Sequence, residues 1–451
     1  MTPTLLSQIA TWCGGQLRGD DCLVSGISKD TRTLTADDLY VGIRGEQFDG
    51  NSFVPQAAAA GAVAAIVDSD DIPALPENFG VIRVQDSIRA LHQLSVAVRA
   101  QMNIKAVCIT GSNGKTSTKD FAAKVLSSRF RTLSTPGNFN NHIGLPFTIV
   151  NADQDAEVAV WEIGMSHPGE IEPLARLVRP DIGIVTNIGI AHIEYMHSQD
   201  AIAKEKGMLL EVLEPAGLAI LNAQDNFTAS LAKRTQARVL QVGIDSGDIR
   251  ATNLSQTIEG CTFTVETPSG TAQAKIAIPG THMVLNSLFA IAAGMDLGIS
   301  LEECLAALAN AKLTSGRLEK KTIRGILFLD DTYNANPDSM EAALTTLAGM
   351  TTKGRKIAAL GRMGELGSHA ESGYRRVGKV AAASVDTLIT VGKETSPLAE
   401  AARSQGLKQV IEMADTAEAT HWLQDFARQD DVVLVKGSRS AKMEHVIGGF
   451  K

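Results

Sequence analysis

Short apolar runs, set apart by turn residues or by stretches with helical spacing, lay out this chain. In the first 85 residues the runs at 39–43, 64–67 and 81–84 predict strands, and 55–61 between them predicts a helix. The stretch 68–80, with Pro73 and Pro76, predicts a loop. From residue 86 the runs at 104–110, 158–163 and 182–188 predict buried strands, each followed by helical sequence such as 116–128. The stretch 252–278 alternates apolar and polar positions and predicts antiparallel strands, with helices at 285–297 and 301–311 after it. From residue 313 strands are expected at 323–329, 356–360, 387–391 and 432–435, with helices at 339–347 and 416–428. Strands alternating with helices imply parallel sheets covered on both faces. The expectation is an α/β protein of three domains: a small N-terminal α/β domain (1–85), a central parallel-sheet domain (86–312) and a C-terminal Rossmann-like domain (313–451).

Composition narrows this picture. With 451 residues, 44% hydrophobic and 20% charged, the chain can bury several cores, which excludes disorder as its main state. A formal charge of −8 makes it a poor general nucleic-acid binder. Cys13, Cys22, Cys108, Cys261 and Cys304 are scattered, with no CxxC pair, so reduced thiols are expected rather than a zinc ribbon or a disulfide frame. No basic region followed by an apolar core opens the chain, and the apolar stretch 57–67 is too short to span a bilayer. A soluble cytoplasmic protein without membrane insertion is expected.

The sharpest chemical signal is Gly111-Ser112-Asn113-Gly114-Lys115-Thr116-Ser117, between a predicted strand and a predicted helix. Backbone N–H groups of such a turn, with the helix N-terminus behind them, cradle phosphate oxygens. Lys115 supplies a point charge, and the Thr116 hydroxyl suits Mg²⁺. The spacing is a short GxxGKT variant, since Ile109 stands where the usual earlier glycine falls. A glycine turn with a chance lysine is the competing reading. A phosphate loop implies a nucleotide but not a reaction; a motor, kinase, GTPase or ligase all use one.

Mg²⁺ takes oxygen ligands. Glu162 ends the apolar run 158–161, where a carboxylate at the end of a parallel strand faces the ligand crevice. His192 follows another strand end and is a candidate second-metal ligand or phosphate contact, against the bland reading of a surface histidine. Lys204 and Lys206 fall on the next helix. A protonated lysine cannot hold a cation; only a carbamylated one can, and spacing alone favours an exposed helix lysine.

These motifs, in this order, resemble the Mur ligases, ATP-dependent amide-forming enzymes of peptidoglycan synthesis. The resemblance spans essentially the whole chain. It includes the loop at 110–117, Trp161-Glu162-Ile163-Gly164-Met165-Ser166-His167, Asn187-Ile188-Gly189-Ile190-Ala191-His192 and the stretch 137–146. Three further segments resemble the branch that adds a dipeptide: 330–337 (DDTYNANP), 361–367 (GRMGELG) and 435–439 (VKGSR). The chain departs from the family at Arg362, where Asp is common, and at Met283, where Asn is common.

The resemblance implies an ATP-dependent ligase joining D-alanyl-D-alanine to UDP-N-acetylmuramoyl-tripeptide through an acyl phosphate, acting as a monomer. Its catalytic groups would be Lys115, Glu162, His192, Lys206 and Arg317. ATP would be held by 111–117, Asn286, Arg317 and Asp331. Two Mg²⁺ would be held by Thr116, Glu162, His192 and a carbamylated Lys206. The UDP-linked substrate would meet Ser28, Thr31, Arg32, Asn138, Asn141, Ser166 and His167, and the acceptor would lie near Asn334 and Asn336. Another amide ligase of the family, adding a single amino acid, is the alternative. A nucleotide-binding regulator is a third reading, from a different class.

Overall fold

The computed structural model describes residues 1–45, 47–72 and 75–450. The chain divides into two compact units. The first is 1–108, 130–163 and 172–180; the second is 109–129, 164–171 and 181–451.

The first unit holds a five-stranded sheet in the order Gln16–Arg18, Gly80–Arg83, Ala64–Val67, Asp38–Val41, Gly26–Ser28. Only the first pair is antiparallel. Successive side chains of a strand point to opposite faces, and here both faces are covered. Leu39, Val41 and Ile66 pack with helices Leu6–Cys13, Ser87–Gln101 and Gly144–Val150, through Ile9, Leu91, Leu94, Phe147 and Val150. Tyr40, Ala65 and Val67 pack on the other face with Val54 and Ala57 of helix Val54–Ala59. Double burial explains why these strands read as continuous apolar runs. Helix Ser87–Gln101 starts where Asp86 accepts the N–H of Arg89, and its helical spacing of Ala90, Leu91, Leu94 and Val98 seals it onto this N-terminal core. It therefore packs with the first 85 residues, although the sequence division at 86 sets it with the central ones. Within 68–80, Pro73 lies outside the described residues; the described ones form neither helix nor strand before Gly80. Strands Thr132–Ser134 and Val158–Glu162 pair in parallel in this unit, and the second is buried throughout.

In the second unit Ile182–Val185, Leu218–Asn222 and Arg238–Ile244 run parallel. The alternating stretch becomes an antiparallel meander of Ile249–Thr257, Gly260–Thr267 and Gly270–Ile276. Helix Lys115–Leu126 lies against Thr281–Asp296. Gly294 allows their close approach: a Cβ there would stand 2.6 Å from Val125 Cγ1 and 2.9 Å from Cys304 Sγ.

The C-terminal sheet runs Glu319–Ile323, Ile326–Asp331, Val432–Lys436, Lys356–Leu360, Thr387–Val391, Gln409–Met413. All neighbours are parallel except the first pair. Two expectations change here. The run 323–329 is not one strand: the backbone turns at Arg324 and Gly325, both at positive φ, and closes a hairpin. The edge strand Gln409–Met413 has only Val410 fully buried, so it presents no apolar run. Helices Pro337–Ala348, Ala370–Ser384 and Ser396–Ser404 pack in a row, whereas Thr416–Phe426 packs with Glu444–Gly448. Strand Val432–Lys436 is thus flanked by two strands whose chains leave toward the other helix layer. That is a topological switch point, where α/β sheets open a ligand crevice at the carboxyl ends of their strands.

Among the described residues no helix is long and apolar enough to cross a membrane, and all five cysteines are free.

Candidate active site

Strand Lys105–Thr110 delivers the chain to the glycine-rich loop, and helix Lys115–Leu126 leaves it. Gly111 has φ +148°, and a Cβ there would overlap Thr186 Oγ1 at 1.9 Å. Gly114 has φ +81°, and a Cβ would press on Asn286 Oδ1 at 2.5 Å. Both positions require glycine for space as well as conformation. The loop is held from the neighbouring strand end. Asn113 N donates to Asn187 Oδ1 (2.9 Å), Thr186 Oγ1 donates to Asn113 O (2.6 Å), and Gly189 N donates to Ser112 Oγ (2.9 Å). Lys115 Nζ curls back to Gly111 O at 2.8 Å. Thr116 and Ser117 are buried in the first helical turn. Ser112 N and Asn113 N are both engaged by Asn187, so the groups that face an anion here are the N–H groups of the first helical turn, with an ammonium beside them.

The segment 187–192 carries His192 at φ +63°. It is pinned by Asp225, whose Oδ2 accepts from Ile188 N (2.7 Å), and by Asp338, whose Oδ2 accepts from Ile190 N (3.0 Å). His192 Nδ1 lies 2.5 Å from Glu365 Oε2 in the 361–367 turn. The His192 ring against the carboxylate holds the Glu365 pKa below the usual carboxylate range, against the opposing effect of burial. Glu194 N donates to Glu365 O, docking the same turn.

Lys206, on helix Gln199–Glu211, is 1% exposed. The exposed lysine that spacing favours is thereby corrected: the side chain lies inward. Burial, and next the charge of Lys115, push its pKa well below the usual lysine range. Beside it Glu205 accepts from Gly169 N (2.9 Å) and Ile171 N (2.8 Å), bracing the 164–171 loop. His167 in that loop packs its ring on Tyr195, with centroids 4.6 Å apart. Ser166 N donates to Glu170.

At the switch point Arg317 Nη2 donates to Thr116 Oγ1 at 3.0 Å. Asp331 accepts from Leu318 N (3.2 Å) and from Lys436 Nζ (2.6 Å). Burial pulls the Lys436 pKa down, and the Asp331 carboxylate opposes the pull. Lys436 Nζ also donates to Asn334 O (2.9 Å). Asn336 caps helix Pro337–Ala348 and extends Nδ2 to Asn113 Oδ1 at 2.8 Å. The turns after 331, 360 and 436 therefore converge, and Arg317 and Asn336 tie them to the phosphate loop.

Glu162 belongs to the first unit, whereas Thr116, His192 and Lys206 belong to the second. Its backbone N–H donates to Thr135 Oγ1, and its Oε1 accepts from Asn140 Nδ2 at 2.7 Å. Among the described residues Oε2 is buried with no hydrogen-bond partner. A buried carboxylate oxygen left without a donor fits a bound cation. Among the described residues no three His, Cys, Asp or Glu side chains cluster to hold a metal by themselves.

Other expected positions are differently engaged. Asn141 Oδ1 accepts from Ile143 N and Gly144 N, and Asn138 is exposed. Ser28 Oγ lies 3.1 Å from Thr33 Oγ1, within its own loop near Thr31. Arg32 pairs with Asp30 at the surface. Asn286 is buried against the phosphate loop, with Nδ2 3.8 Å from Met283 Sδ. Met283, the departure from the family's Asn, thus still faces Asn286. Sequence reasoning passed over Asn140, Glu205, Asp338, Glu365 and Lys436. Asn140, Glu365 and Lys436 lie within segments that carry the family resemblance, whereas Glu205 and Asp338 carry no such signal and act on partners far away in sequence.

A glycine-rich loop of the kind that cradles phosphate, reached by the crevice of a second α/β sheet, defines the class of a nucleotide-dependent enzyme. Residues 23–101 match the Mur ligase family catalytic domain, 109–294 the Mur ligase middle domain and 316–439 the Mur ligase glutamate ligase domain. The chain belongs to the Mur ligase family. It is 37% identical to UDP-N-acetylmuramoyl-tripeptide–D-alanyl-D-alanine ligase of Escherichia coli (strain K12), over 99% of this chain and 98% of that one. It is 36% identical to the protein of the same name from Bacillus subtilis (strain 168), over 95% and 93%. The crystal structure of MurF from Acinetobacter baumannii matches with a TM-score of 0.92 at 30% identity, covering 100% of this chain and 99% of that one. MurF ligase from Thermotoga maritima in complex with ADP shares the fold, with a TM-score of 0.84 at 24% identity over 95% and 97%.

Proposed function

We propose that this chain joins D-alanyl-D-alanine to UDP-N-acetylmuramoyl-tripeptide at the expense of ATP, releasing ADP and phosphate, in the cytoplasm. The observation that carries the reading is the phosphate loop with Arg317 bonded to its Thr116, in a chain with 37% identity along nearly its full length to a ligase of that name.

A carboxylate does not condense with an amine near neutral pH, so its oxygen must be converted into a leaving group. A carboxylate oxygen of the tripeptide attacks the γ-phosphorus, the bond to ADP breaks, and an acyl phosphate forms. The acceptor's neutral amine attacks the acyl carbon, and phosphate departs with that former carboxylate oxygen. The glycine-rich turn and helix N-terminus at 111–117, with the Lys115 ammonium, hold the phosphates, and Arg317 offsets the repulsion between carboxylate and γ-phosphate. An α-amino group with pKa near 8 is partly neutral at working pH, so positioning the acceptor does much of the work. Asn286 and Asp331 take the adenosine end of ATP.

Thr116, Glu162, His192 and Lys206 would hold Mg²⁺, which supplies charge neutralisation on the transferring phosphoryl group. Lys206 fits that set once its amine is neutral. The nitrogen lone pair adds to CO₂, a proton leaves, and the product is a carbamate with two oxygen donors. The depressed pKa favours this.

Residues 1–85 would bind the UDP end, through Ser28, Thr31 and Arg32. Residues 86–312 would hold ATP, with Asn138, Asn141, Ser166 and His167 toward the tripeptide. Residues 313–451 would bring the acceptor to Asn334 and Asn336. The test is phosphate release with ATP, Mg²⁺ and UDP-N-acetylmuramoyl-tripeptide, with and without D-alanyl-D-alanine, with mass spectrometry of the product. Acceptor-dependent release and a pentapeptide product are expected. Turnover with a single amino acid instead, or release indifferent to every acceptor, contradicts the assignment.

A further inference from the structure

The guanidinium of Arg317 is held on two sides. Its edge donates through Nη2 to Thr116 Oγ1, while its flat face lies on the Tyr333 ring, with the guanidinium carbon 4.1 Å from the ring centroid. Its Nε is buried without a hydrogen-bond partner among the described residues. A cation short of one acceptor gains from the negative face of an aromatic ring, and a planar guanidinium stacks there in a fixed orientation.

The backbone is folded to make this stack. Tyr333 N donates to Gly316 O at 3.3 Å, and Leu318 N donates to Asp331 Oδ1, so the turn before Arg317 lies back on the turn that carries Tyr333. Gly316 has φ +75°, and a Cβ there would stand 3.2 Å from Tyr333 N and 3.4 Å from Tyr333 Cβ. Leu318 takes φ +51° to complete the reversal. Two left-handed residues bracket the arginine whose plane the ring sets.

We infer that Tyr333 is a positioning residue. Its aromatic face fixes the plane and reach of Arg317, so that the guanidinium edge stays aimed at the phosphate loop and meets the transferring phosphoryl group. This rests on the reading of Arg317 as the cation that offsets charge at the γ-phosphate. The ring face carries the effect, so phenylalanine replaces tyrosine and an aliphatic residue of similar size does not.

The experiment is a double-mutant cycle on the full chain, reading kcat and KM for ATP, with melting temperature as the check on folding. Arg317→Ala is expected to lower kcat by about 10²-fold or more. Tyr333→Leu is expected to lower kcat/KM for ATP by about 5- to 30-fold at an unchanged melting temperature. Tyr333→Phe is expected within about threefold of the parent, since the ring is kept. In the Arg317→Ala background, Tyr333→Leu is expected to cost nothing more. An equal loss from Tyr333→Leu in both backgrounds overturns the inference, as does Tyr333→Phe behaving like Tyr333→Leu. Unchanged kcat in Arg317→Ala overturns instead the phosphate role of Arg317, on which the inference stands.

Discussion

The phosphate loop and the C-terminal crevice are built in opposite ways. Residues 111–117 lie in seven consecutive positions, on a turn where Gly111 and Gly114 are required for both space and conformation. The crevice gathers Arg317, Asp331 and Asn336, Glu365 and Lys436 from four stretches of chain far apart in sequence, each held by a side chain from another stretch. A contiguous site is fixed by local geometry and tolerates changes elsewhere. An assembled site depends on long-range pairs, so its function responds to substitutions that touch no ligand. The two meet at Thr116–Arg317 and Asn113–Asn336.

The largest expected effect strikes the contiguous site. Lys115→Ala removes the ammonium beside the nest, and phosphate release in the full ligase assay is expected to fall by about 10³-fold, with the melting temperature little changed. A near-normal rate would falsify the role given to Lys115. Next is Glu162→Gln, which keeps an acceptor for Asn140 but removes the carboxylate charge at the buried Oε2. Turnover is expected to fall by about 10²-fold, with a higher Mg²⁺ requirement measured by titration. An unchanged Mg²⁺ dependence removes Glu162 from the metal set.

The crevice should show itself through stability and pH. His282 is hemmed in by protein, and burial lowers its pKa to about 4 from 6.5; Asp331 opposes the shift and Lys436 adds to it. In the folded chain it stays neutral down to about pH 4, whereas the unfolded chain takes up the proton near 6.5. The unfolded state then binds more protons, so stability is lost as pH falls from 6.5 to about 4 and not further below. The loss amounts to at most about 3 kcal/mol. Denaturant unfolding at stepped pH should show this slope, and His282→Gln should flatten it; an undiminished slope in the variant assigns it elsewhere. The smallest effect is Asn336→Ala, which deletes a helix cap and the bond to Asn113. A loss of about 1–2 kcal/mol is expected by the same unfolding measurement, and no loss would mean the capping box is idle.

The same contrast explains what the sequence makes legible. Strands Ala64–Val67, Lys356–Leu360 and Thr387–Val391 coincide with their apolar runs because parallel strands covered on both faces leave no exposed position to blur the ends. The edge strand Gln409–Met413 and the hairpin at Arg324 and Gly325 escape notice because one is half-solvated and the other hides its turn inside an apolar run. The phosphate loop is legible for its contiguity. The burial of Lys206 is not, since helical spacing says nothing of which way that face turns. The contacts of Glu365 with His192 and of Lys436 with Asp331 are not legible either, because each joins residues that only the folded topology brings together.

The central claim is that the tripeptide carboxylate is activated at the phosphate loop before the amine arrives. Oxygen tracing tests it most directly: UDP-N-acetylmuramoyl-tripeptide labelled with ¹⁸O in its reacting carboxylate is turned over with ATP, Mg²⁺ and D-alanyl-D-alanine, and the released phosphate is read by mass spectrometry. An acyl phosphate route transfers one labelled oxygen to each phosphate and leaves the other in the new amide. Unlabelled phosphate alongside a pentapeptide product would contradict the account.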